Sequence, residues 1–408
     1  MSLIAEEGQE LRGVIKRKGY YCQYCMNDDQ QLFHHHFHHR FGKEVVYCRA
    51  CIRMTYSSTE TYYNLVEIKN LPEQADYQLD FELTAQQQFA SREIVEVVKT
   101  GGRRLVHAVT GAGKTEMILE GIRTARQEGL NVAIVSPRVD VVKEVALRMK
   151  DYFSCDIDVL YQGETILYDS RFVISTVQQL VKYHHHFGLV IVDEVDAFPL
   201  PMDKRLQQLI KRAATLHSAL IYLTATPPAR LKKEMREETL VLPARYHRRP
   251  LPVPTYQYMS RQQMRKGKMK RYFERDAGSF LLVFFNDIKE MEEAAEIYKE
   301  YKPVTVYAAD VSRHDKVAAI RSGAYPVIFT TTILERGFTM ASLDVFVVDA
   351  GNYSAECLVQ MAGRVDRKSV PYKGQVIFFH EGVTRSMMQA VKEIKEMNRL
   401  ARMKGWLD

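Results

Sequence analysis

The β-rich run Leu105-Val-His-Ala-Val109 leads without interruption into Thr110-Gly-Ala-Gly-Lys-Thr115. From Ala108 to Thr115 the residues fit the phosphate-binding pattern G-x-x-x-x-G-K-[ST], with alanine at the first glycine position. This feature constrains the fold most, because such a loop works only between a strand and the N-terminus of a helix. Gly111 and Gly113 allow backbone N–H groups to turn inward around phosphate oxygens, where the helix dipole favours negative charge. Thr110, Gly111, Ala112, Gly113, Lys114 and Thr115 are therefore the candidate nucleotide ligands. Lys114 is placed for the β- and γ-phosphates and the Thr115 hydroxyl for Mg²⁺. A glycine-rich turn with a chance lysine is the plain alternative, and the neighbouring sequence argues against it.

Between residues 78 and 243 short β-rich runs alternate with helical stretches, among them Val132–Val135, Phe172–Ile174, Leu189–Val192 and Ala219–Leu223. Alternation of this kind predicts βαβ units and a parallel sheet covered on both faces. Pro243, Pro250, Pro252 and Pro254 mark a connection, after which strands are predicted at 280–285, 304–307, 327–330, 345–348 and 375–379. The expected organisation is a cysteine-bearing module at 1–75, an α/β lobe at 76–243, a basic connection at 244–275 and a second α/β lobe at 276–408. With 46% apolar and 26% charged residues, each lobe can bury a core. No apolar run reaches the roughly 18 residues a membrane-spanning helix needs. No secretory signal is visible at the N-terminus, so a soluble cytoplasmic chain is expected.

After Leu189-Val-Ile-Val192 comes Asp193-Glu-Val-Asp196. Carboxylates at the end of a buried strand are costly unless paired or metal-bound. Asp193 fits as a partner of Mg²⁺, and Glu194 as the group that polarises an attacking water. A helix cap with solvated acids explains one carboxylate better than three in four positions.

Loop and acids together resemble helicase superfamily 2, whose motifs occur here in order. Leu83-Thr-Ala-Gln-Gln87 resembles the glutamine motif, which implies Gln87 on the adenine base. Ala108–Thr115 resembles motif I in the variant A-x-T-G-x-G-K-T. Ser136–Asp140 and Ser175–Leu180 resemble the strand-contacting motifs, implying nucleic-acid contact by Arg138, Thr176 and Gln178. Thr224-Ala-Thr226 is similar to motif III, which couples nucleotide state to lobe movement, and Phe284-Phe-Asn286 sits where motif IV falls. Thr330–Gly337 resembles motif V, implying Thr331 on nucleic acid and Gly337 on nucleotide. Gln360–Arg367 matches motif VI, Q-x-x-G-R-x-x-R, implying that Arg364 and Arg367 stabilise the phosphoryl group in transfer. The resemblance spans residues 80 to 370. It implies two tandem RecA-like lobes, each a parallel sheet with helices on both faces, and ATP hydrolysis with Mg²⁺ coupled to movement along nucleic acid. An RNA-remodelling helicase shares this core, and Val195 in place of alanine weighs mildly against it. A non-catalytic nucleic-acid-binding scaffold is the reading from another class; intact Lys114, Glu194, Arg364 and Arg367 weigh against that.

Four of the six cysteines form Cys22-Gln-Tyr-Cys25 and Cys48-Arg-Ala-Cys51. Two thiolate pairs at this spacing complete a tetrahedral Cys₄ zinc site with no open position. An iron–sulfur centre or two disulfides are the alternatives. Cys155 and Cys357 stand alone in apolar contexts and read as core residues. The histidine clusters (His34, His35, His36, His38 and His39; His184, His185 and His186) read as solvated. A Cys₄ module ahead of a compact superfamily 2 core resembles the ComFA family, the late-competence ATPases of Gram-positive DNA uptake. That resemblance implies a cytoplasmic motor, peripheral at the inner face of the membrane, that draws single-stranded DNA inward during transformation. The partners it implies are the phosphoribosyltransferase-like protein of the same operon, the DNA-loading recombination mediator and the uptake channel. The helicase motifs alone do not separate this family from replication-restart helicases; the zinc position and the short length do.

The chain carries 57 Lys and Arg against 50 Asp and Glu, a net charge of +7. Ala244 to Phe273 holds nine basic residues and no acid, and without it 48 basic residues face 50 acidic ones. Arg265, Lys266, Lys268 and Lys270, interleaved with Tyr246, Tyr256, Tyr258 and Tyr272, are expected either to grip a phosphate backbone or to form a solvated linker.

Overall fold

The computed structural model describes residues 9–52, 54–65, 68–165, 167–274, 278–335, 339–368 and 370–408. Its apolar runs assemble into two parallel sheets. The first has seven strands, in the order Thr239–Leu242, Gly102–Ala108, Ala214–Thr224, Phe187–Asp193, Val132–Ser136, Phe172–Thr176 and Asp158–Leu160. Val132–Ser136 and Phe172–Thr176 are buried along their whole length, with Ile134 opposite both Ile174 and Ile191. Burial on both faces is why these strands read as unbroken apolar runs and not as alternating ones. The helices Leu119–Gln127, Val139–Tyr152 and Lys204–Ala213 pack against this sheet. The second sheet has six strands, in the order Thr255–Tyr258, Val376–His380, Leu343–Val347, Phe280–Phe284, Val327–Thr330 and Val304–Val306, all parallel. Two RecA-like lobes are thus present, each an α/β layer structure.

Two compact units result. One holds the described part of Met1–Leu83 with Gln88–Val106 and Thr115–Leu240; the other holds Thr84–Gln87, His107–Lys114 and Val241–Asp408. The cysteine module joins the first unit and is not a body of its own. Val14, Cys22, Phe33 and Cys48 share one apolar cluster with Leu206, Leu209 and Ile210.

The described part of the stretch 244–275, expected as a basic connection, is built into the second unit. Thr255–Tyr258 pairs with Val376–His380, and a helix, Arg261–Arg265, follows with Ser260 and Gln263 forming a capping box. Met259, Met264, Met269 and Phe273 are buried in that unit's core. Its charges meet acids from elsewhere in the chain: Arg261 bonds Asp349 at 2.9 Å, Arg265 bonds Glu293 at 3.2 Å and Lys270 bonds Glu300 at 2.7 Å. The acid-free composition is local to the sequence only: in the fold Arg265 and Lys270 each sit beside an acid in an exposed pair. Two further expectations change. His186 is buried, its ring nitrogen 2.8 Å from the Ser170 carbonyl, directly before the strand Phe187–Asp193. Cys155 and Cys357 are half-buried, and the Cys357 thiol donates to the Glu335 carboxylate at 2.9 Å. Among the described residues, no helix is long and apolar enough to cross a membrane.

Asn398 of the helix Arg385–Met403 clasps this stretch. Its amide accepts from Leu251 N–H at 2.7 Å and donates to Leu251 O at 2.9 Å, both in the interior. Asn398→Ala leaves two buried backbone groups unsatisfied, at about 1–3 kcal/mol each. The expected result is a stability loss of about 2–4 kcal/mol in denaturant unfolding; a solvated linker would lose nothing.

Candidate nucleotide and metal sites

The strand Gly102–Ala108 is buried over its last four residues and opens into the loop that starts the helix Lys114–Met117. Gly111 and Gly113 take φ of +80° and +78°, a region that disfavours any side chain. The Thr115 hydroxyl accepts from Arg148 Nη1 at 3.0 Å. Arg148 also bonds the buried Glu116 carboxylate, which the Tyr152 hydroxyl reaches at 3.0 Å. Arg148 and Glu116 were not among the expected site residues. The available signal was Glu116 itself, an acid directly behind the loop that needs a cation once buried.

Asp193 ends its strand and accepts the Glu194 N–H at 2.9 Å. Glu194 has φ of +52°, an uncommon backbone state for a residue with a side chain and one that recurs at functional sites. Asp196 accepts the hydroxyls of Thr224 at 2.6 Å and Thr226 at 2.7 Å. The acidic segment and Thr224-Ala-Thr226 are thus joined in one hydrogen-bonded cluster.

Within the second unit the two glutamines divide their tasks. The Gln87 carboxamide oxygen accepts both the N–H and the hydroxyl of Thr84, each at 2.9 Å. Gln86 instead holds Ala244 through both its backbone groups, at 2.7 and 2.9 Å. Arg245, counted above in the basic stretch, is wholly buried. It donates to the carbonyls of Thr110 (3.2 Å), Gly363 (3.2 Å), Val365 (2.7 Å) and Asp366 (2.8 Å). Burial first, then the charge of Arg367, bring its pKa down to about 9, with Asp366 acting in the opposite direction. Gly363 lies so close to Thr110 that an added Cβ would sit 2.2 Å from the Thr110 hydroxyl oxygen. Arg364 is buried and donates to Glu335 O at 2.7 Å, while Arg367 donates to the Thr339 hydroxyl at 2.9 Å.

Of the expected nucleic-acid residues, Arg138, Thr176 and Gln178 lie at or just after neighbouring strand ends of the first sheet, where Thr176 pairs with Ser136, and Thr331 belongs to the second unit. Arg138 makes a two-point contact with Asp140 at 3.2 and 2.9 Å. Thr176 is buried at a strand end, Gln178 is half-buried in the turn Val177–Lys182, and Thr331 is half-buried after the strand Val327–Thr330. Gly337 lies outside the described residues.

The four paired cysteines converge. Cys22 and Cys48 end the strands Tyr20–Cys22 and Lys43–Cys48, and Cys25 and Cys51 sit in the turns that follow. All four sulfurs are buried and lie within 4.8 Å of one another, with Cys22–Cys51 at 3.9 Å and Cys25–Cys48 at 3.6 Å. Four sulfurs about 2.3 Å from one ion stand about 3.8 Å apart, so the donor set fits tetrahedral zinc. Hydrogen bonds from Cys25, Cys48 and Cys51 hold the Cys22 thiol far below its ordinary pKa. Arg212, from the helix Lys204–Ala213, braces the first knuckle by donating to Gln23 O at 2.8 Å and Tyr24 O at 2.7 Å.

Two parallel-sheet lobes carrying this ordered set of loop, acid and arginine motifs define a superfamily 2 helicase core. Residues 80–229 match the family "Type III restriction enzyme, res subunit", and residues 265–369 match the "Helicase conserved C-terminal domain". Residues 5–64 match the "Competence protein ComFA N-terminal domain". Over 406 residues the chain is 37% identical to Competence protein ComFA of Bacillus subtilis (strain 168), covering 95% of this chain and 87% of that protein. It is 34% identical to Competence protein ComFA of Streptococcus pneumoniae (strain ATCC BAA-255 / R6), covering 96% and 94%. The chain belongs to the ComFA family. In fold it is similar to S. cerevisiae Dbp5 bound to RNA and ADP BeF3, with a TM-score of 0.56 and 14% identity over 78% of this chain and 92% of that one. The helicase family implies ATP, Mg²⁺ and nucleic acid as ligands.

Because the cysteine cluster shares its core with the first lobe, losing the metal should disturb more than the module. Metal analysis of the full chain should find one zinc. Cys48→Ser should lose it and lower the melting temperature by roughly 5–10 °C. Iron in place of zinc, or unchanged melting after zinc loss, would contradict a structural zinc site.

Proposed function

We propose that the chain is an ATP-dependent single-stranded DNA translocase or helicase that drives uptake of transforming DNA during competence. The observation that carries this reading is the bonded cluster of Asp196 with Thr224 and Thr226, adjoining Asp193 and Glu194 at the end of a buried strand. Kinship with two competence proteins supports the biological setting. In this reading Lys114 and the N–H groups of Thr110–Thr115 hold the phosphates, and Gln87 and Gly337 contribute to nucleotide binding. Thr115 and Asp193 hold Mg²⁺, which supplies charge neutralisation on the phosphate oxygens. Glu194 orients the attacking water, and Arg364 and Arg367 stabilise the charge that develops on the phosphoryl group. Arg138, Thr176, Gln178 and Thr331 face the strand. Asp196 passes the state of the phosphates to Thr224-Ala-Thr226 through its two hydroxyl bonds. Cys22, Cys25, Cys48 and Cys51 hold zinc as a structural ion. The domain limits follow the same reading: a metal-bearing module at 1–75, a nucleotide lobe at 76–243, a basic connection at 244–275 and a second lobe at 276–408. The motor works on the cytoplasmic side of the membrane, with the phosphoribosyltransferase-like protein, the recombination mediator and the uptake channel as partners.

Single-stranded DNA should stimulate ATP turnover without sequence preference, since backbone contacts carry no sequence information. Glu194→Gln should keep ATP bound yet lower turnover by about 10²-fold or more. Lys114→Ala should weaken nucleotide binding itself. Steady-state ATPase with single-stranded DNA, duplex DNA and RNA checks all three. Turnover within twofold of the parent in Glu194→Gln, or stimulation by RNA alone, would sink the proposal.

A further inference from the structure

The cysteine module and the first lobe enclose a cleft of about 410 Å³ between them, within one compact unit. Arg17, Lys211 and Arg212 line it, with the imidazoles of His184 and His185 and the ring of Tyr21, and among the described residues no carboxylate does. None of these three cations bonds a carboxylate among the described residues. Elsewhere in the same unit Arg103, Arg126, Arg148 and Arg205 all do so. Arg212 uses its terminal nitrogens on three carbonyls, Gln23 O, Tyr24 O and Val181 O, which orient the group without neutralising it. Its buried Nε has no hydrogen-bond partner among the described residues. The charge is felt locally: burial first, then His185 and Arg212, push the His184 pKa down to about 4. The guanidinium of Arg17 lies 4.5 Å from the centre of the Tyr21 ring, over its face, and both line the cleft.

Crowded like charges around a cavity are unfavourable until an anion enters. A bare phosphate would leave most of this volume empty and would make no use of the Tyr21–Arg17 stack. A nucleotide unit uses both, and the volume falls in the usual range for ligand clefts, about 300–1,000 Å³. We propose that this cleft is an anchoring site for a single nucleic-acid strand, separate from the ATP chemistry. Backbone phosphates rest against Arg17, Lys211 and Arg212, and a base rests against Tyr21. The idea rests on the nucleic-acid motor reading above and assigns the metal-bearing module a direct hold on the strand.

Arg17 and Lys211 are exposed and belong to no nucleotide motif, so Arg17→Gln with Lys211→Gln should fold, keep its zinc and retain DNA-independent ATP turnover. Binding of a labelled oligo(dT) to the full-length, zinc-loaded protein is measured against salt by fluorescence anisotropy. The double variant should bind about tenfold more weakly at low salt. Its slope of log affinity against log salt should flatten by about 0.7 per phosphate lost, up to about 1.4. Tyr21→Leu should weaken binding without changing that slope. Parent protein that binds oligo(dT) alongside a double variant with unchanged affinity and slope overturns this site and leaves the motor reading intact. Parent protein that binds no oligo(dT) overturns both. Loss of pyrophosphate binding in the double variant, with oligo(dT) binding unchanged, would make the cleft a small-anion site and overturn the strand assignment.

Discussion

A parallel sheet buried on both faces can carry polar chemistry only where its strands stop. Within Val132–Ser136, Phe172–Thr176 and Phe187–Asp193 the side chains face packed helices and the backbone groups are bonded to neighbouring strands. Functional groups therefore collect at the carboxyl ends, the general location of ligands in such sheets. The phosphate-type loop follows Ala108, the acids follow Val192, Thr224 ends the strand Ala214–Thr224, and Thr331 follows Thr330. Within each sheet, one geometric constraint thus brings to the same edge motifs that lie far apart in the chain. Replacing an apolar residue inside these strands would disturb several motifs together.

The second organising principle is that buried polar groups must be satisfied. Arg245 has no carboxylate in its wholly buried position, and four backbone carbonyls take its place. An unpaired interior charge would be far more costly than any single bond returns. Such a contact specifies geometry more than it adds stability, because each carbonyl must be presented at the correct angle. Gln86 on Ala244 and Asn398 on Leu251 act similarly, each fastening a backbone segment through both its N–H and its C=O. The loop Ala108–Lys114 and the loop after the helix Ala355–Ala362 are thereby held in one bonded arrangement.

The cysteine module illustrates why small folds borrow support. About sixty residues bury too little surface to be comfortably stable alone. Here three short antiparallel strand pairs gain a cluster of four sulfurs and an apolar seam with the helix Lys204–Ala213. Arg212 reaches from that helix to the first cysteine knuckle, so the shape of the metal site and the position of the lobe depend on each other.

Local pattern made much of this legible. Strand positions at 132–135, 172–174, 189–192 and 280–285 follow from runs of apolar residues, and the glycines at 111 and 113 from the need for left-handed backbone. The cysteine pairs follow from spacing, since ligands three positions apart must share a turn. The edge strands Asp158–Leu160 and Thr239–Leu242 escaped because short runs at a sheet edge lack a periodic signal. Partnership was not legible at all. Nothing near Arg265 or Lys270 announces Glu293 or Glu300, and nothing near Arg245 announces carbonyls more than a hundred residues away. Residue types and short spacings alone determined which chemistry this protein carries. Only the tertiary structure decided which charges are neutralised and which remain, because that depends on groups brought together by folding and not by proximity along the chain.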